Sequence, residues 1–388
     1  MDGHNPRRPR RQRMILQQGE NAMGKRPRIR EMGLNVWDAP SGRLNLITDV
    51  PGIAVGHTTI IRGKSAAGRI KGVVRTGVTA VTFPGRDPYM RPLRAAVHTI
   101  NGYGKATGLE QIRETGRIET PVCITNTLSI WAAAEALVKM TLERHADVRS
   151  VCPVVGECND GFLSDIRGFH VKEKHVRAAV AGAGKRFALG SVGAGTGMRG
   201  IGYKAGVGSA SRVVEYGGKR ITLGVLAVVN TGSLRQLRIG GLPVGRLLAP
   251  KTAAAGEKGS IILVLATDGA FTSRQLHRLA VRVGHGLART GMTSGHTSGD
   301  FAIALSTCAA PEISRERGAH KAGEAFICEE NIDPFFAATV EAAEEAFIDG
   351  VIMADTMSGV DGHVVEAIDS GALRAILSRA GLLEPGGA

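Results

Sequence analysis

The sequence predicts a single α/β domain in which strands and helices alternate along the chain. Short apolar runs bounded by glycine or polar residues are typical of buried strands, and segments with apolar residues at helical spacing separate them. A length of 388 residues allows two or three domains, but no long linker follows about residue 33. Apolar residues make up 43% of the chain, aromatic residues only 4%, and glycine occupies 53 positions. We therefore expect a core of Ala, Val, Ile and Leu with close backbone packing.

The hydrophobic pattern places individual elements. Strands are predicted at residues 78–83, 224–229, 260–267 and 301–307. Helices are predicted at residues 129–146 and 273–290. A third helix has Asp333 as its predicted N-cap, Pro334 in its first turn and Gly350 as its stop.

The basic charge is concentrated at the N-terminus. Residues 1–30 hold nine Lys and Arg against two acidic residues, a net of +7 out of +14 for the whole chain. With almost no apolar residues, this segment is expected to be a disordered extension, which we bound at residues 1–32. It could bind nucleic acid or an anionic membrane, but no basic and aromatic residues are interleaved as in single-strand binders. We therefore predict neither a nucleic-acid nor a membrane partner.

The sequence has neither a complete export signal nor a metal-binding motif. Arg10-Arg11 resembles a twin-arginine signal, yet no apolar segment follows it, and no run of 18 apolar residues exists. The five cysteines lack CxxC spacing and are interpreted as reduced core residues of a cytoplasmic protein. The histidines show no i, i+4 pair, so we predict neither a metal nor another cofactor.

The dipeptide Gly259-Ser260 opens one of the predicted buried strands. If the chain cleaves this bond itself, Ser260 carries both a nucleophilic hydroxyl and a free α-amine. An α-amine has a reference pKa of about 7.7 to 8.0, so it can accept a proton near neutral pH. A Gly-Ser dipeptide before an apolar run is also an ordinary turn, and the dipeptide alone does not decide between the two.

Other polar residues lie at the ends of predicted strands. Asn230 closes one strand and can donate its side-chain N–H to an oxyanion, although Asn is also a common turn former. Alternation puts Ser298 and Asp300 on one face, where they could orient the Ser260 amine or simply begin a strand.

Two further segments are open to a functional interpretation. Glu157, in the turn at residues 157–161, could hold a cationic amine of a substrate, but a solvated loop would look the same. The glycine-rich run at residues 190–204 lacks the GxxxxGK[ST] pattern of a phosphate loop, so close backbone packing explains it better.

Taken together, these segments resemble one known family. The chain is similar to the L-aminopeptidase D-Ala-esterase/amidase (DmpA-type, S58) peptidases from about Gly33 to Gly362. The resemblance rests on residues 48–57, 77–81, 101–104, 125–127, 157–161, the run from residue 190, 230–232, 259–260 and 298–300.

The resemblance implies a fold and an activity. The implied fold is a four-layer αββα sandwich, layered like the Ntn-hydrolases but with different strand connectivity. Residues 33–388 would form one catalytic domain that cuts itself into an α chain ending at Gly259 and a β chain of residues 260–388. The implied activity is the release of N-terminal amino acids from peptides, amides or esters through an acyl-enzyme on Ser260. Relatives are typically tetramers of αβ units, which implies a homo-oligomer.

The resemblance also assigns site residues. Ser260 is the implied nucleophile, and Asn230 is the implied donor to the oxyanion. Ser298 and Asp300 are implied to support the Ser260 amine. Glu157 is implied to bind the amino group of the substrate. Asn159, which we place in the substrate site, stands where some relatives have a Tyr. Position 300 is Asp in this chain, whereas several relatives that cleave β-peptides have Glu there. An acyltransferase or an ω-amide (nylon-oligomer) hydrolase of the same fold is the alternative function.

Overall fold

Two β-sheets stacked face to face form the centre of the structure, a computed structural model that describes residues 26–249, 259–308 and 326–384. The strands are β1 Ala54–Arg62, β2 Val74–Thr82, β3 Leu93–Gly102, β4 Ala106–Thr107, β5 Arg117–Ile118, β6 Val122–Asn126, β7 Val154–Cys158, β8 Arg199–Gly200, β9 Tyr203–Lys204, β10 Val207–Tyr216, β11 Lys219–Asn230, β12 Ser260–Thr267, β13 Gly299–Ser306, β14 Met357–Ser358 and β15 Val364–Val365. The helices are α1 Leu109–Thr115, α2 Ile130–Leu142, α3 Glu173–Ala181, α4 Val244–Leu248, α5 Ser273–Arg289, α6 Asp333–Ile352 and α7 Ser370–Arg379.

The two sheets differ in strand order. One has five strands in the order β1-β2-β6-β7-β4, and the other has six in the order β10-β11-β12-β13-β3-β5. Strand β12 pairs antiparallel with β11 and parallel with β13. All eight β12 residues are buried, as expected for a strand covered on both faces.

The inner faces of the sheets touch closely. A Cβ at Gly156 of β7 would lie 2.9 Å from Ile262 Cγ2 of β12, so glycine allows this approach. Helices α2 and α3 cover the outer face of the five-stranded sheet, and α5 and α6 cover the other. The layers therefore follow the order α, β, β, α, which confirms the predicted sandwich.

The predicted elements match observed ones with shifted ends. The predicted strands coincide with parts of β2, β11, β12 and β13, and the helix predicted at residues 273–290 is α5. The α5 N-terminus is capped by Thr272, whose side chain accepts from Gln275 N. Helix α2 ends at Leu142, four residues before the predicted end.

The predicted ends of α6 are wrong. Asp333 is the first helical residue and makes no side-chain cap, and the helix continues through Gly350 to Ile352. Gly350 instead allows α6 to approach β10 and β11: a Cβ at Gly350 would lie 2.8 Å from Val229 Cγ2 and 3.3 Å from Gly208 N. Close packing rather than helix termination explains this glycine.

The packed chain begins before residue 33. Ile29 and Met32 are buried. Arg28 donates to Asp349 of α6 at 2.7 Å, and Arg30 pairs with Glu345 at 3.1 Å. Buried α6 carboxylates thus hold part of the segment predicted to be a disordered extension, and the boundary at residue 32 is wrong. Residues 1–25 lie outside the described residues.

The cysteines are free, but they are not all in the core. Cys123 and Cys158 are buried, Cys152 and Cys308 are half-buried, and Cys328 is exposed. No helix in the described ranges is both long and apolar enough to cross a membrane.

Candidate active site

Ser260 lies where three neighbouring strands begin or end. The register pairs Ser260, the first residue of β12, with Asn230 at the end of β11 and with Gly299 at the start of β13. Ser260 is 5% exposed, so its hydroxyl is largely shielded from solvent. The sheet thus brings together the polar residues that the sequence places at separate strand ends.

The Asn230 amide is fixed with its NH2 group toward Ser260. Its Oδ1 accepts from Arg199 N at 3.0 Å, which identifies the oxygen side because a backbone N–H only donates. Its Nδ2 donates to the Asn159 carbonyl at 3.1 Å and lies 3.5 Å from Ser260 Oγ. An N–H donor is therefore held beside the hydroxyl, where an oxyanion hole requires one.

Ser298 and Asp300 form a chain of hydroxyls that ends on a carboxylate. Ser298 Oγ donates to Asp300 Oδ1 at 2.6 Å, and Thr231 Oγ1 lies 3.1 Å from Ser298 Oγ. Since the Ser298 proton points to the carboxylate, Thr231 is the donor in the second contact. Alternation predicted that Ser298 and Asp300 lie on the same face, and the structure confirms it. Sequence reasoning assigned no role to Thr231, although it directly follows Asn230.

Glu157 faces the same place from the other sheet. It lies next to the end of β7 and is only 3% exposed. Lys105 N donates to Oε1 at 2.9 Å, and the Thr127 hydroxyl donates to Oε2. A Cβ at Gly104 would lie 3.5 Å from Glu157 Oε1 and 2.8 Å from Gly299 Cα, so the carboxylate lies near the start of β13.

The Glu157 carboxylate has no basic side chain as a partner within the described residues. Two hydrogen-bond donors contact its oxygens, but a buried carboxylate is most stable with a cation beside it. The solvated-loop interpretation is therefore wrong for Glu157.

Asn159 contributes its backbone more than its side chain. Its side chain is exposed, and Oδ1 accepts from Gly161 N at 2.9 Å within the turn. Its carbonyl is the acceptor that holds Asn230 Nδ2. Nearby Asp160 is buried, and desolvation raises its pKa to about 7.

Cys158 forms part of the site and was assigned only to the core from the sequence. Its thiol donates to the Val228 carbonyl at 3.6 Å and contacts the Ser260 hydroxyl. Burial raises the pKa of the Cys158 thiol, so it stays protonated. In the sequence, only its position next to Glu157 on a buried strand could have indicated that Cys158 lies in the site.

Gly259 occupies a backbone position that no other residue fits. Its φ is +154°, and a Cβ there would lie 1.8 Å from the Asn230 carbonyl oxygen. Its own carbonyl accepts from Gly299 N at 3.3 Å. A backbone donor thus contacts the carbonyl of the bond between Gly259 and Ser260.

The glycine-rich run packs backbone against backbone, as predicted. A Cβ at Gly195 would lie 2.6 Å from Val207 N, and one at Gly206 would lie 1.9 Å from Gly190 O. The run continues into the β8–β9 hairpin, which includes Arg199 and so positions its backbone N–H beside Asn230 Oδ1. No group of three or more potential metal ligands occurs among residues 26–249, 259–308 and 326–384.

Comparison with known proteins agrees with this geometry. Residues 45–365 match the family model of peptidase family S58. The chain is 39% identical over 382 residues to the beta-peptidyl aminopeptidase BapA of Sphingosinicella microcystinivorans, covering 94% of this chain and 95% of that protein.

Two solved structures are also similar. A protein from Pyrococcus horikoshii OT3 has a TM-score of 0.86 and 43% identity, with 92% of this chain and 99% of that chain covered. The L-aminopeptidase D-Ala-esterase/amidase of Ochrobactrum anthropi, described as a variant of the Ntn-hydrolase fold, has a TM-score of 0.84 and 38% identity, with coverage of 92% and 100%. The chain therefore belongs to peptidase family S58 and to its aminopeptidases.

Proposed function

We propose that the chain cleaves its own bond between Gly259 and Ser260 and that Ser260 then acts as an N-terminal nucleophile. In this reaction the Ser260 hydroxyl attacks the Gly259 carbonyl carbon, and the amide becomes an ester. Water then hydrolyses the ester and leaves a Gly259 carboxylate and a free Ser260 α-amine. The hydrogen bond from Gly299 N to the Gly259 carbonyl supports this step, because it polarises the bond that breaks.

The mature site would hydrolyse substrates by the same chemistry. Ser260 Oγ attacks the substrate carbonyl while the α-amine takes the hydroxyl proton, and Asn230 Nδ2 donates to the oxyanion that forms. The α-amine returns the proton to the leaving group, and water releases the acyl group from Ser260. Asp300 and Ser298, next to Gly299 in the register, would favour the protonated state of the amine.

The substrate class follows from Glu157. A buried carboxylate without a basic partner in the described chain is suited to binding an ammonium group. We therefore infer that substrates carry a free N-terminal amine and are peptides, amino-acid amides or amino-acid esters. The side chain of Asn159 would border the same pocket.

The observation that carries the proposal is that Ser260 Oγ lies 3.5 Å from a fixed Asn230 donor at the edge of the site that contains Glu157. The test is hydrolysis of aminoacyl p-nitroanilides by the purified chain, with Ser260→Ala as the inactive control. Absence of hydrolysis across α- and β-aminoacyl substrates would contradict the proposal. An acyltransferase would instead transfer the acyl group to an added amine, and an ω-amide hydrolase would prefer oligomers of ω-amino acids.

A homo-oligomer of αβ units, with a tetramer implied by the resemblance, and a cytoplasmic location stay predictions. A basic nucleic-acid or membrane-binding protein is the alternative that is not an enzyme. In that case residues 1–30 would carry the binding; deleting residues 1–25, which keeps the packed Arg28 and Arg30, would abolish function there and leave hydrolysis intact in ours.

A further inference from the structure

The backbone of Arg199 is bonded to Asn230, and its side chain places a cationic group on the Phe162 ring. Its backbone N–H bonds Asn230 Oδ1 at 3.0 Å, and its guanidinium carbon lies 3.8 Å from the centroid of the Phe162 ring. Within the described chain, neither a carboxylate nor another acceptor is bonded to the guanidinium. Arg199 is exposed, so its charge is accessible to a ligand.

The Arg199 guanidinium rests on an ordered aromatic stack. The Phe162 ring is stacked on His363 with centroids 4.3 Å apart and planes at 7°. His363 Nδ1 in turn donates to the Phe162 carbonyl at 2.9 Å. A guanidinium on an aromatic face loses part of its hydration and keeps its N–H groups free at the edge, where they can bind an anion.

Arg199 and Glu157 lie on opposite sides of Ser260. The six-stranded sheet has the local order β11-β12-β13-β3. Arg199 is at the β11 side, since Ile201 N donates to the Thr231 carbonyl at 3.0 Å just past the end of β11. Glu157 is at the β13 side, close to Gly104 and Gly299. Neighbouring strands are about 4.8 Å apart, so the Arg199 backbone and the Glu157 carboxylate flank the nucleophile from strands that are about two strand spacings apart.

This arrangement gives the substrate a direction. A substrate whose ammonium group is bound at Glu157 and whose carbonyl carbon lies at Ser260 extends its leaving group toward β11. We propose that Arg199 binds a carboxylate on this leaving group and so selects substrates with an anion after the scissile bond. The inference rests on the proposed function and adds the class of leaving group: the C-terminal carboxylate of a dipeptide, or an acidic side chain in a longer peptide.

The experiment compares matched substrates with and without the anion. Alanylglycine and β-alanylglycine are each compared with their C-terminal amides. Alanylglutamic acid with an amidated C-terminus is compared with alanylglutamine with an amidated C-terminus. For wild type we expect kcat/KM to be at least 10-fold higher for the anionic member of one pair. The first comparison reports a C-terminal carboxylate and the second reports a side-chain carboxylate.

Variants connect this preference to the guanidinium. Arg199→Gln is expected to lower the ratio of anionic to neutral kcat/KM to about 1, and Arg199→Lys is expected to retain part of it because an ammonium makes no bidentate contact. Arg220→Gln is the matched control: Arg220 is at the opposite end of β11, its side chain is 70% exposed, and the ratio should stay at the wild-type value.

Two results would overturn the inference: equal wild-type rates for both members of both pairs, or a preference that persists in Arg199→Gln. If wild type hydrolyses none of the substrates, the proposed function itself fails, which is a distinguishable result. Normal processing of Arg199→Gln into two chains verifies that its fold and the Asn230 contact are intact.

Discussion

Replacing Gly259 by alanine displaces the scissile bond but leaves the Ser260 hydroxyl and the Gly259 carbonyl chemically unchanged. The new Cβ would lie 1.8 Å from the Asn230 carbonyl oxygen and 2.7 Å from Thr231 Cα. Both are backbone atoms of or next to β11, so no side-chain rotation relieves the overlap. Separations below 3.0 Å are essentially never observed for Cβ, and β11 or the scissile peptide must therefore move by more than 1 Å.

A shift of this size is large for a reaction that depends on position. A misplacement of about 1 Å can reduce a rate about 100-fold. The carbonyl that must be attacked is also the one that accepts from Gly299 N, and moving it weakens that contact. We expect Gly259→Ala to be processed at least about 100-fold more slowly than wild type.

The assay follows the fraction of intact chain over time by mass spectrometry, starting from freshly folded protein. Gly217→Ala is the matched control, because Gly217 also has a positive φ of +57° but an added Cβ there would meet no atom within 4 Å. Thermal unfolding of Gly259→Ala in a Ser260→Ala background, against Ser260→Ala alone, measures the effect on stability separately. Processing of Gly259→Ala within about threefold of the wild-type rate would show that the overlap with β11 does not displace the scissile bond.

Three further predictions concern single side chains. Substrates with a free amine should be hydrolysed while their N-acetylated forms are not. Glu157→Gln should lower kcat/KM for free-amine substrates about 10- to 100-fold, because a charge-assisted contact of about 1.5 to 3 kcal/mol is lost. Equal rates on free and blocked substrates would remove Glu157 from the site. Asp300→Asn should lower kcat by about 10²- to 10⁴-fold per processed site. Ser298→Ala should lower kcat less, because the loss of a neutral hydroxyl removes only about 1 kcal/mol of net hydrogen bonding. Near-normal turnover of processed Asp300→Asn would make Asp300 a structural residue. Desolvation raises the pKa of Asp160 to about 7 from 3.8, so this group lowers the free energy of unfolding as the pH rises from about 4 to about 7. Asp160→Asn should therefore stabilise the protein more at pH 8 than at pH 4.5, by about 3 kcal/mol in denaturant titrations, and a difference independent of pH would contradict the assignment.

The sequence predicted the strands that carry the site because their patterns are local. Residues 260–267 form an unbroken apolar run, and Ser298 and Asp300 are two positions apart on a strand. Local pattern therefore predicted the buried β12 and the shared face of the two side chains. That Asn230 and Ser260 share one site was implied only by the family resemblance, and their pairing in the sheet was not predicted, because strand order is a long-range property.

Other features could not be predicted because they depend on contacts across the fold. Gly350 has the sequence context of a helix stop, yet it lies inside α6 where the helix meets β10. Arg28 and Arg30 belong by sequence to a solvated basic segment, but their partners are carboxylates more than 300 residues away. Cys158 is an ordinary buried cysteine in the sequence, and only the stacking of the two sheets brings it to Ser260.

Intact-mass analysis of the purified, folded protein shows whether Ser260 becomes an N-terminal residue. We expect two polypeptides, the smaller of which begins Ser260-Ile261-Ile262, and a single chain for Ser260→Ala. A folded wild-type protein that consists of one uncleaved chain and hydrolyses aminoacyl substrates would contradict this expectation.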